Sequence, residues 1–247
     1  MILKLNLLLL ILLGPNIFWD LDIKAQNIEV HYRATAKHVT NNNKKTNNIM
    51  ADLARYANDA LSKIDFVVKS NNQSYKLDYE LDMSNDFNGE EWTDVAITMA
   101  IDGDRLVGNF SNGLSYYDSS LSKKIRSVKM NNLSWTITSE SKNILGFSCY
   151  KAIASIIDPS EENKLTPPLT AWFSNELGFR GGPTAYATLP GIILELESPK
   201  IKFEATKVKK SNKTHIRIPN YKPENVLPHS EWNKYFKANN PIAKLRN

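Results

Sequence analysis

Histidine, cysteine, serine and the carboxylates are residue types in this chain that could carry acid–base, nucleophilic or metal chemistry, and the spacing of the histidines and the cysteine is the most informative. The four histidines are His31, His38, His215 and His229, and none lies at zinc-ligand spacing from a cysteine, aspartate or glutamate. The sequence contains no His-Glu-x-x-His motif and no Gly-x-Ser-x-Gly motif. We therefore expect no metal site, no cofactor and no catalytic residue that a motif identifies. Each histidine is expected on the surface or in a loop.

Cys149 is the single cysteine, within the strand-like run Phe147–Tyr150. One cysteine cannot form a disulfide within the chain, so the hydrophobic core alone must hold the fold. A reactive thiol needs a lowered pKa, and no histidine or clear helix N-terminus adjoins Cys149. This residue is therefore expected to be a small buried hydrophobe.

The densest turn chemistry lies in residues 181–197, where Gly-Gly-Pro is followed by a Leu-Pro-Gly turn. Gly181, Gly182 and Pro183 at first suggest a phosphate-binding loop. Such a loop leads into a helix, whereas proline bars helix entry beyond the first helical position and an alternating run, Ile192–Glu197, comes next. The segment is predicted to be two turns followed by a strand.

Alternation of apolar and polar residues predicts roughly ten short strands, the first over Asn27–Lys37. The run Val95–Met99 is interpreted as one of these strands, preceded by a loop at Asn85–Glu91. Asp102-Gly103 and Asn112-Gly113 mark hairpin turns.

Two helices are predicted. The first has apolar residues at three- and four-residue spacing, namely Met50, Leu53, Ala54, Ala57, Leu61 and Ile64. The second lies around Ser230–Lys237, where Trp232 and its aromatic neighbours can pack on the body of the domain. Short turns between strands favour antiparallel pairing. The predicted fold is therefore mainly β (α+β): a curved antiparallel sheet or half-barrel of roughly ten strands, with one N-terminal helix packed on it and a short C-terminal helix.

The first residues are typical of a secretory signal. Lys4 precedes an apolar run, Leu5–Leu13, and Gly14-Pro15 ends it, which is too short for a membrane-spanning helix. The best cleavage candidate is Ala25-Gln26. We therefore expect a signal peptide over 1–25, a single β-rich domain over 26–213 and a tail over 214–247. An uncleaved membrane anchor is the alternative.

The charge pattern favours a solvated surface over a nucleic-acid footprint. The formal net charge is +5 in 247 residues, and lysine and arginine are interspersed with aspartate and glutamate along the chain. We therefore expect no nucleic-acid partner and, after signal removal, no transmembrane span.

Residues 144–197 resemble the GLPGLI family of exported bacterial proteins. The hexapeptide of that family corresponds to residues 188–193, with Leu189, Pro190 and Gly191 matching and Thr188 departing. The surrounding Trp172, Gly182 and Pro183 agree with the same pattern. The resemblance implies export and a β-rich fold, and it carries no established reaction. These positions, Thr188 excepted, are the candidate binding residues, on a bend that shapes the last hairpin or forms the lip of a site.

The leading hypothesis is an exported, non-enzymatic binding or accessory protein of the periplasm or cell envelope. Its aromatic-rich sheet would hold a small apolar ligand, a peptide or a segment of an outer-membrane receptor. Two alternatives are a hydrolase-like envelope enzyme with a dispersed site near Trp172 and Pro190, and a structural envelope protein.

Overall fold

Twelve strands make up most of this computed structural model, which describes residues 27–37, 55–81, 90–101, 105–118, 124–156, 169–211, 216 and 219–239. The predicted signal peptide, the predicted Asp102-Gly103 turn and the first part of the first predicted helix lie outside the described residues. The strands are β1 (Asn27–Ala36), β2 (Ile64–Ser70), β3 (Ser74–Leu81), β4 (Arg105–Asn109), β5 (Leu114–Asp118), β6 (Ile125–Lys129), β7 (Leu133–Ile144), β8 (Phe147–Ile156), β9 (Thr170–Ser174), β10 (Ile192–Glu197), β11 (Ile201–Ser211) and β12 (Val226–Pro228).

All twelve strands belong to one sheet, in the order β12-β6-β5-β4-β3-β2-β1-β11-β10-β9-β8-β7. The paired strands are antiparallel except β12, which runs parallel to β6 and pairs Val226 with Ile125. A parallel pair requires a long connection, and here the chain passes through β7 to β11 before it returns. The C-terminal part of the chain therefore closes one edge of the sheet.

The sheet folds back so that its two ends approach each other. β6 ends at Lys129 and β7 begins at Leu133, yet the two strands lie ten positions apart in the sheet. Four Cα–Cα steps reach at most about 15 Å, whereas ten strand spacings in a flat sheet would span about 48 Å. The open sheet must therefore curl over itself, which gives a β-sandwich-like domain.

Residues 180–187, here called the linking segment, cross the interior between the two ends of the sheet. Their carbonyl groups accept hydrogen bonds from side chains of β2, β3, β5 and β7. The pairs are Ser70 Oγ with Arg180 O, Tyr75 OH with Thr184 O (2.6 Å), Ser115 Oγ with Ala185 O (2.8 Å) and Trp135 Nε1 with Tyr186 O (3.2 Å). Because buried carbonyls need partners, this irregular backbone is stable inside the core.

Three α-helices are present in the described residues: α1 (55–61), α2 (Glu90–Ile101) and α3 (His229–Asn239). In α1, Ala57, Ala60 and Leu61 are buried in the core cluster. Ile64, which the periodicity assigned to this helix, instead opens β2. None of the described helices is long and apolar enough to cross a membrane.

The predicted fold class is wrong in several respects. The sheet has twelve strands rather than roughly ten, it includes a parallel pair, and it folds over itself rather than forming a half-barrel with one helix on its concave face. The predicted strand Val95–Met99 is part of α2, where Thr93, Ala96 and Ile97 are buried at helical spacing. The sequence of a short apolar run fits a strand or a buried helix equally well, and this run lies within a longer helix that begins at Glu90.

Candidate functional site: a tyrosine cleft on the outer face

Most of the predicted binding residues lie inside the protein. Gly182, Pro183, Leu189 and Gly191 are buried, and Pro190 is exposed at the turn before β10. A Cβ on Gly191 would lie 2.3 Å from the Ser174 carbonyl oxygen. A glycine there allows two backbone segments to approach closely, which is a packing role.

Gly182 and Thr188 belong to the same bend, and the structure shows what each position requires. A Cβ on Gly182 would lie 2.8 Å from Ile193 Cβ, so this glycine also serves close packing. Among the described non-glycine residues, Leu145 is the one with positive φ, so Thr188 needs no glycine-like backbone freedom. The departure from the hexapeptide at this position therefore causes no strain.

Trp172 lies apart from that bend, half-buried on β9. Lys142 Nζ is 4.3 Å from its ring centroid, Lys151 Nζ is 6.0 Å away, and Lys142 also pairs with Glu195 at 2.6 Å. The indole therefore carries a cation–π contact within an ion-pair network. The structure does not bring Trp172 and the interior glycines together into one site.

The outer face of the sheet, opposite the core, carries the polar alternate residues of the strands, including the half-buried Glu29 and His31 of β1. His31 Nδ1 lies 2.5 Å from Asp65 Oδ2, and His31 Nε2 lies 2.8 Å from Glu29 Oε1. Glu29 also accepts from Lys209 Nζ at 2.9 Å and lies 3.6 Å from Lys69 Nζ. This histidine is thus part of an ion-pair cluster on the polar side of the strand that the alternation in Asn27–Lys37 predicts.

These contacts change the acidity of Glu29. Burial favours the neutral carboxyl, but hydrogen bonds from Lys209 and His31, with the nearby charge of Lys69, outweigh it and lower the pKa of Glu29 from 4.5 to about 2. The carboxylate therefore stays charged through the physiological range and holds the cluster together.

A cleft of about 620 Å³ opens on the same face, where β4, β5 and β6 meet the C-terminal residues. We call it the tyrosine cleft. None of the described residues that line it is charged; alongside prolines and a valine, they include Asn109, Asn112, Tyr116, Ser127, Asn220 and Tyr221.

Two aromatic rings form the centre of the tyrosine cleft. The rings of Tyr116 and Tyr221 lie 5.3 Å apart between centroids with planes tilted by 39°, and Asn112 Nδ2 donates to the Tyr116 hydroxyl at 2.9 Å. Burial, with the charge of Asp118, raises the pKa of Tyr221 to about 12. This phenol is therefore neutral at physiological pH, and it can both donate and accept hydrogen bonds.

The backbone fixes the position of both tyrosines. Tyr116 is in the middle of β5, directly opposite Ser127 of β6. Tyr221 precedes a 3-10 turn, Pro223–Asn225, which leads into β12 and its pairing with β6. Lys124 Nζ donates a hydrogen bond to the Glu224 carbonyl at 2.6 Å, which is a second contact between the start of β6 and the C-terminal residues. The C-terminal residues thus form one wall of the cleft.

No group of three or more histidine, cysteine, aspartate or glutamate residues in the described ranges could hold a metal ion. Cys149 is buried, and burial raises the pKa of its thiol to about 11. Its environment is therefore that of a packed side chain and not that of an activated thiol.

Comparison with known proteins gives one family and several structures. A family model described as N-glycanase peptide, N-terminal domain, matches residues 115–227. Two solved structures of PNGF-II, in different crystal forms, are similar with TM-scores of 0.49 and 0.47 and identities of 17% and 18%, covering 85% and 83% of this chain. An uncharacterized conserved protein from Thermus thermophilus has a TM-score of 0.33 and 5% identity, with 83% of this chain and 91% of that chain covered.

The alignments cover 32% and 31% of the two PNGF-II chains, so this protein spans about a third of their length. No curated protein matches the chain.

The predicted membership of the GLPGLI family is wrong. The family model that matches is that of the N-glycanase N-terminal domain, and its range of 115–227 includes the hexapeptide at 188–193. The glycine of the short Leu-Pro-Gly run allows the backbone to pack closely against the Ser174 carbonyl. Turn residues of this kind occur in many unrelated proteins. The run is therefore too short to identify a family.

Proposed function

We propose that this protein is an exported, non-catalytic binding module of the cell envelope that recognises the carbohydrate of glycoproteins through the tyrosine cleft. The observation that carries the proposal is the lining of the cleft, whose described residues combine aromatic rings, amides and hydroxyls without a charged side chain. The glycan replaces the small apolar ligand expected from the sequence.

The chemistry of the cleft suits a neutral sugar. A sugar ring has an apolar face of C–H groups and a rim of hydroxyls that both donate and accept. Tyrosine rings offer apolar surface with a polar end, and asparagine amides offer one acceptor and two donors each. The volume of about 620 Å³ is within the usual range for small-molecule sites.

The family similarity supports the same ligand class. The matched range, 115–227, contains Tyr116, Ser127, Asn220 and Tyr221, which form much of the cleft. Its description names an N-glycanase, and we carry over the N-glycan from that name as the ligand class for this chain. Export remains part of the proposal, and N-terminal sequencing of the protein recovered from a cell-envelope fraction tests the predicted processing after Ala25.

The test of binding uses isothermal titration with two free N-glycans, one of high-mannose type and one of complex type without acidic sugars. Wild-type protein is expected to bind at least one. Tyr221→Ala and Tyr116→Ala should each weaken binding about tenfold or more, because each removes an aromatic surface under the sugar.

Tyr150→Ala is the control, since Tyr150 also packs on another aromatic ring, that of Phe173, but lies on β8, outside the cleft. Urea unfolding of each variant confirms that it folds. The proposal fails if neither glycan binds, or if the two cleft variants bind as tightly as the control.

A further inference from the structure

A second pocket, of about 350 Å³, lies on the outer face where the end of α1 meets β1 and β11. We call it the basic pocket. The side chains that matter for its chemistry are those of His31, Arg33, Lys63, Asp65, Thr206 and Lys207.

A β-bulge shapes the basic pocket. The β1–β11 register shifts between His31 and Tyr32, which pair with Lys207 and Ala205 and leave Thr206 as the extra residue. The Thr206 hydroxyl donates to the His31 carbonyl at 3.3 Å and fixes the bulge. Bulges redirect side chains and are frequent beside functional sites. Here the bulge lies between Ala205 and Lys207, and Thr206 and Lys207 both line the basic pocket.

Two of the three cations of the basic pocket, Arg33 and Lys207, have no carboxylate of their own in the part of the chain that the structure describes. Among the described residues, Arg33 and Lys207 make no ion pair or side-chain hydrogen bond. By contrast, Lys69 and Lys209 pair with Glu29 on the same face. Two cations without partners in one concave surface produce a local positive potential.

The nearby acidic groups do not neutralise these cations. Glu204, opposite Arg33 in the β1–β11 pairing, is paired with Lys202 at 2.7 Å. Asp65 Oδ2 lies 2.5 Å from His31 Nδ1, so this carboxylate is already engaged. Lys63, the third cation, has its ammonium 3.4 Å from the exposed carboxylate of Asp59. Arg33 and Lys207 therefore retain their capacity to donate to a ligand.

We propose that the basic pocket binds the oxyanion group of an acidic glycan, such as the carboxylate of an acidic sugar or a sulfate ester. The inference rests on the proposed function, because it assigns the charged end of the same ligand. A guanidinium donates two parallel hydrogen bonds to carboxylate or sulfate oxygens, and an adjacent ammonium adds a third.

The two sites are arranged so that one glycan can reach both. Glu29 of β1, beside the basic pocket, and Tyr116 of β5, in the tyrosine cleft, belong to one row of cross-strand partners that passes through Lys69, Lys76 and Val107. Four strand spacings separate β1 from β5, or about 19 Å across the sheet, and Arg33 lies four residues, or about 13 Å, farther along β1 than Glu29, so the two sites are roughly 23 Å apart. An extended oligosaccharide can span this distance with a neutral part in the cleft and an acidic terminus in the basic pocket.

The first arm of the test uses inorganic sulfate and follows the backbone amide signals of Arg33 and Lys207 by NMR, with chloride at equal ionic strength as reference. Wild-type protein is expected to show saturable shifts at these amides. The double variant Arg33→Gln/Lys207→Gln should lose them, whereas Lys200→Gln/Lys234→Gln, with the same charge change on exposed residues outside the pocket, should keep them. Equal shifts in the pocket variant and the control would overturn the inference.

The second arm compares a sialylated complex-type N-glycan with its desialylated form, so that the ligands differ in their carboxylates. Wild-type protein should bind the sialylated form about tenfold more tightly. The pocket double variant should lose this preference and bind the desialylated form as wild type does.

The arms separate the two proposals. If sulfate binds but the sialylated form gains nothing in wild type, the site takes a free oxyanion and the glycan inference is wrong. If no glycan binds while sulfate binding depends on Arg33 and Lys207, the proposed function fails while the oxyanion site stands.

Discussion

Replacement of Tyr75 by phenylalanine tests how the folded-over sheet is held together. Tyr75 of β3 is fully buried, and its hydroxyl donates to the Thr184 carbonyl at 2.6 Å while lying 3.0 Å from Ser115 Oγ. Each hydroxyl has one hydrogen, and that of Ser115 is directed at the Ala185 carbonyl. The Tyr75 hydrogen is therefore available for Thr184, and burial raises the pKa of Tyr75 so that the hydrogen is retained.

The expected cost follows from what the variant removes. Phenylalanine keeps the ring, including its stacking on Phe110 at 5.5 Å and its contact over Gly108, where a Cβ would be 1.8 Å from Tyr75 Cε1. The loss is confined to one hydrogen bond, which leaves the buried Thr184 carbonyl without this donor. We expect a loss of about 2 kcal/mol in the free energy of unfolding, since an unsatisfied buried polar group costs about 1–3 kcal/mol.

The assay is urea unfolding followed by tryptophan fluorescence, with thermal unfolding as a second measurement. For a chain of this size, a loss of about 2 kcal/mol lowers the melting temperature by roughly 4–8 °C. Tyr150→Phe is the control, because Tyr150 is 40% exposed and should change stability by less than about 0.5 kcal/mol. If Tyr75→Phe is as stable as this control at an unchanged m-value, the linking segment does not hold the two ends of the sheet in the way argued above.

Two further predictions concern the hairpin of β7 and β8 and the ion-pair cluster. Leu145→Asn should raise the unfolding free energy by about 0.5–1 kcal/mol in urea titrations. Leu145 has φ 53° and Gly146 has φ 89°, and a turn with two positive φ angles favours Asn-Gly. No gain in stability would argue against strain at this turn. Glu29→Gln should be less stable than wild type above pH 5, because the charged carboxylate with its lowered pKa of about 2 binds Lys209 and His31. That difference should diminish as the pH falls from 4.5 towards 2, and a difference independent of pH would contradict the assigned ion pairs.

Local pattern predicted the strands well and the overall fold poorly. Asn27–Ala36 forms a strand where the alternation predicts one, and Gly113 has the positive φ expected of the Asn-Gly turn. The fold-over of the sheet depends on the three residues between β6 and β7 together with pairings distant in sequence. Local periodicity cannot predict such a closure, because apolar and polar residues alternate along each strand in the same way in an open and in a folded-over sheet.

The candidate site was harder to predict for a related reason. Tyr116 and Tyr221 are separated by most of the second half of the chain, and the parallel pairing of β12 with β6 is what brings them into contact. Their sequence signal is a pair of tyrosines near asparagine and proline, which is common in loops. The Gly-Gly-Pro and Leu-Pro-Gly runs gave a stronger signal, but its cause is packing, as the close approach of Gly191 to Ser174 demonstrates.

The charge pattern of the outer face bears on how a glycan would be oriented there. Between the two sites, Lys76 pairs with Asp78 at 2.5 Å and Lys69 with Glu29 at 3.6 Å, so this strip has little charge left to attract a ligand. Exposed ion pairs of this kind contribute little binding energy of their own. Discrimination between ligands would therefore arise at the two ends, since the described lining of the tyrosine cleft has no charge to attract an oxyanion and the basic pocket has two cations without partners, Arg33 and Lys207. A glycan with one acidic terminus would then bind in a single direction along the sheet.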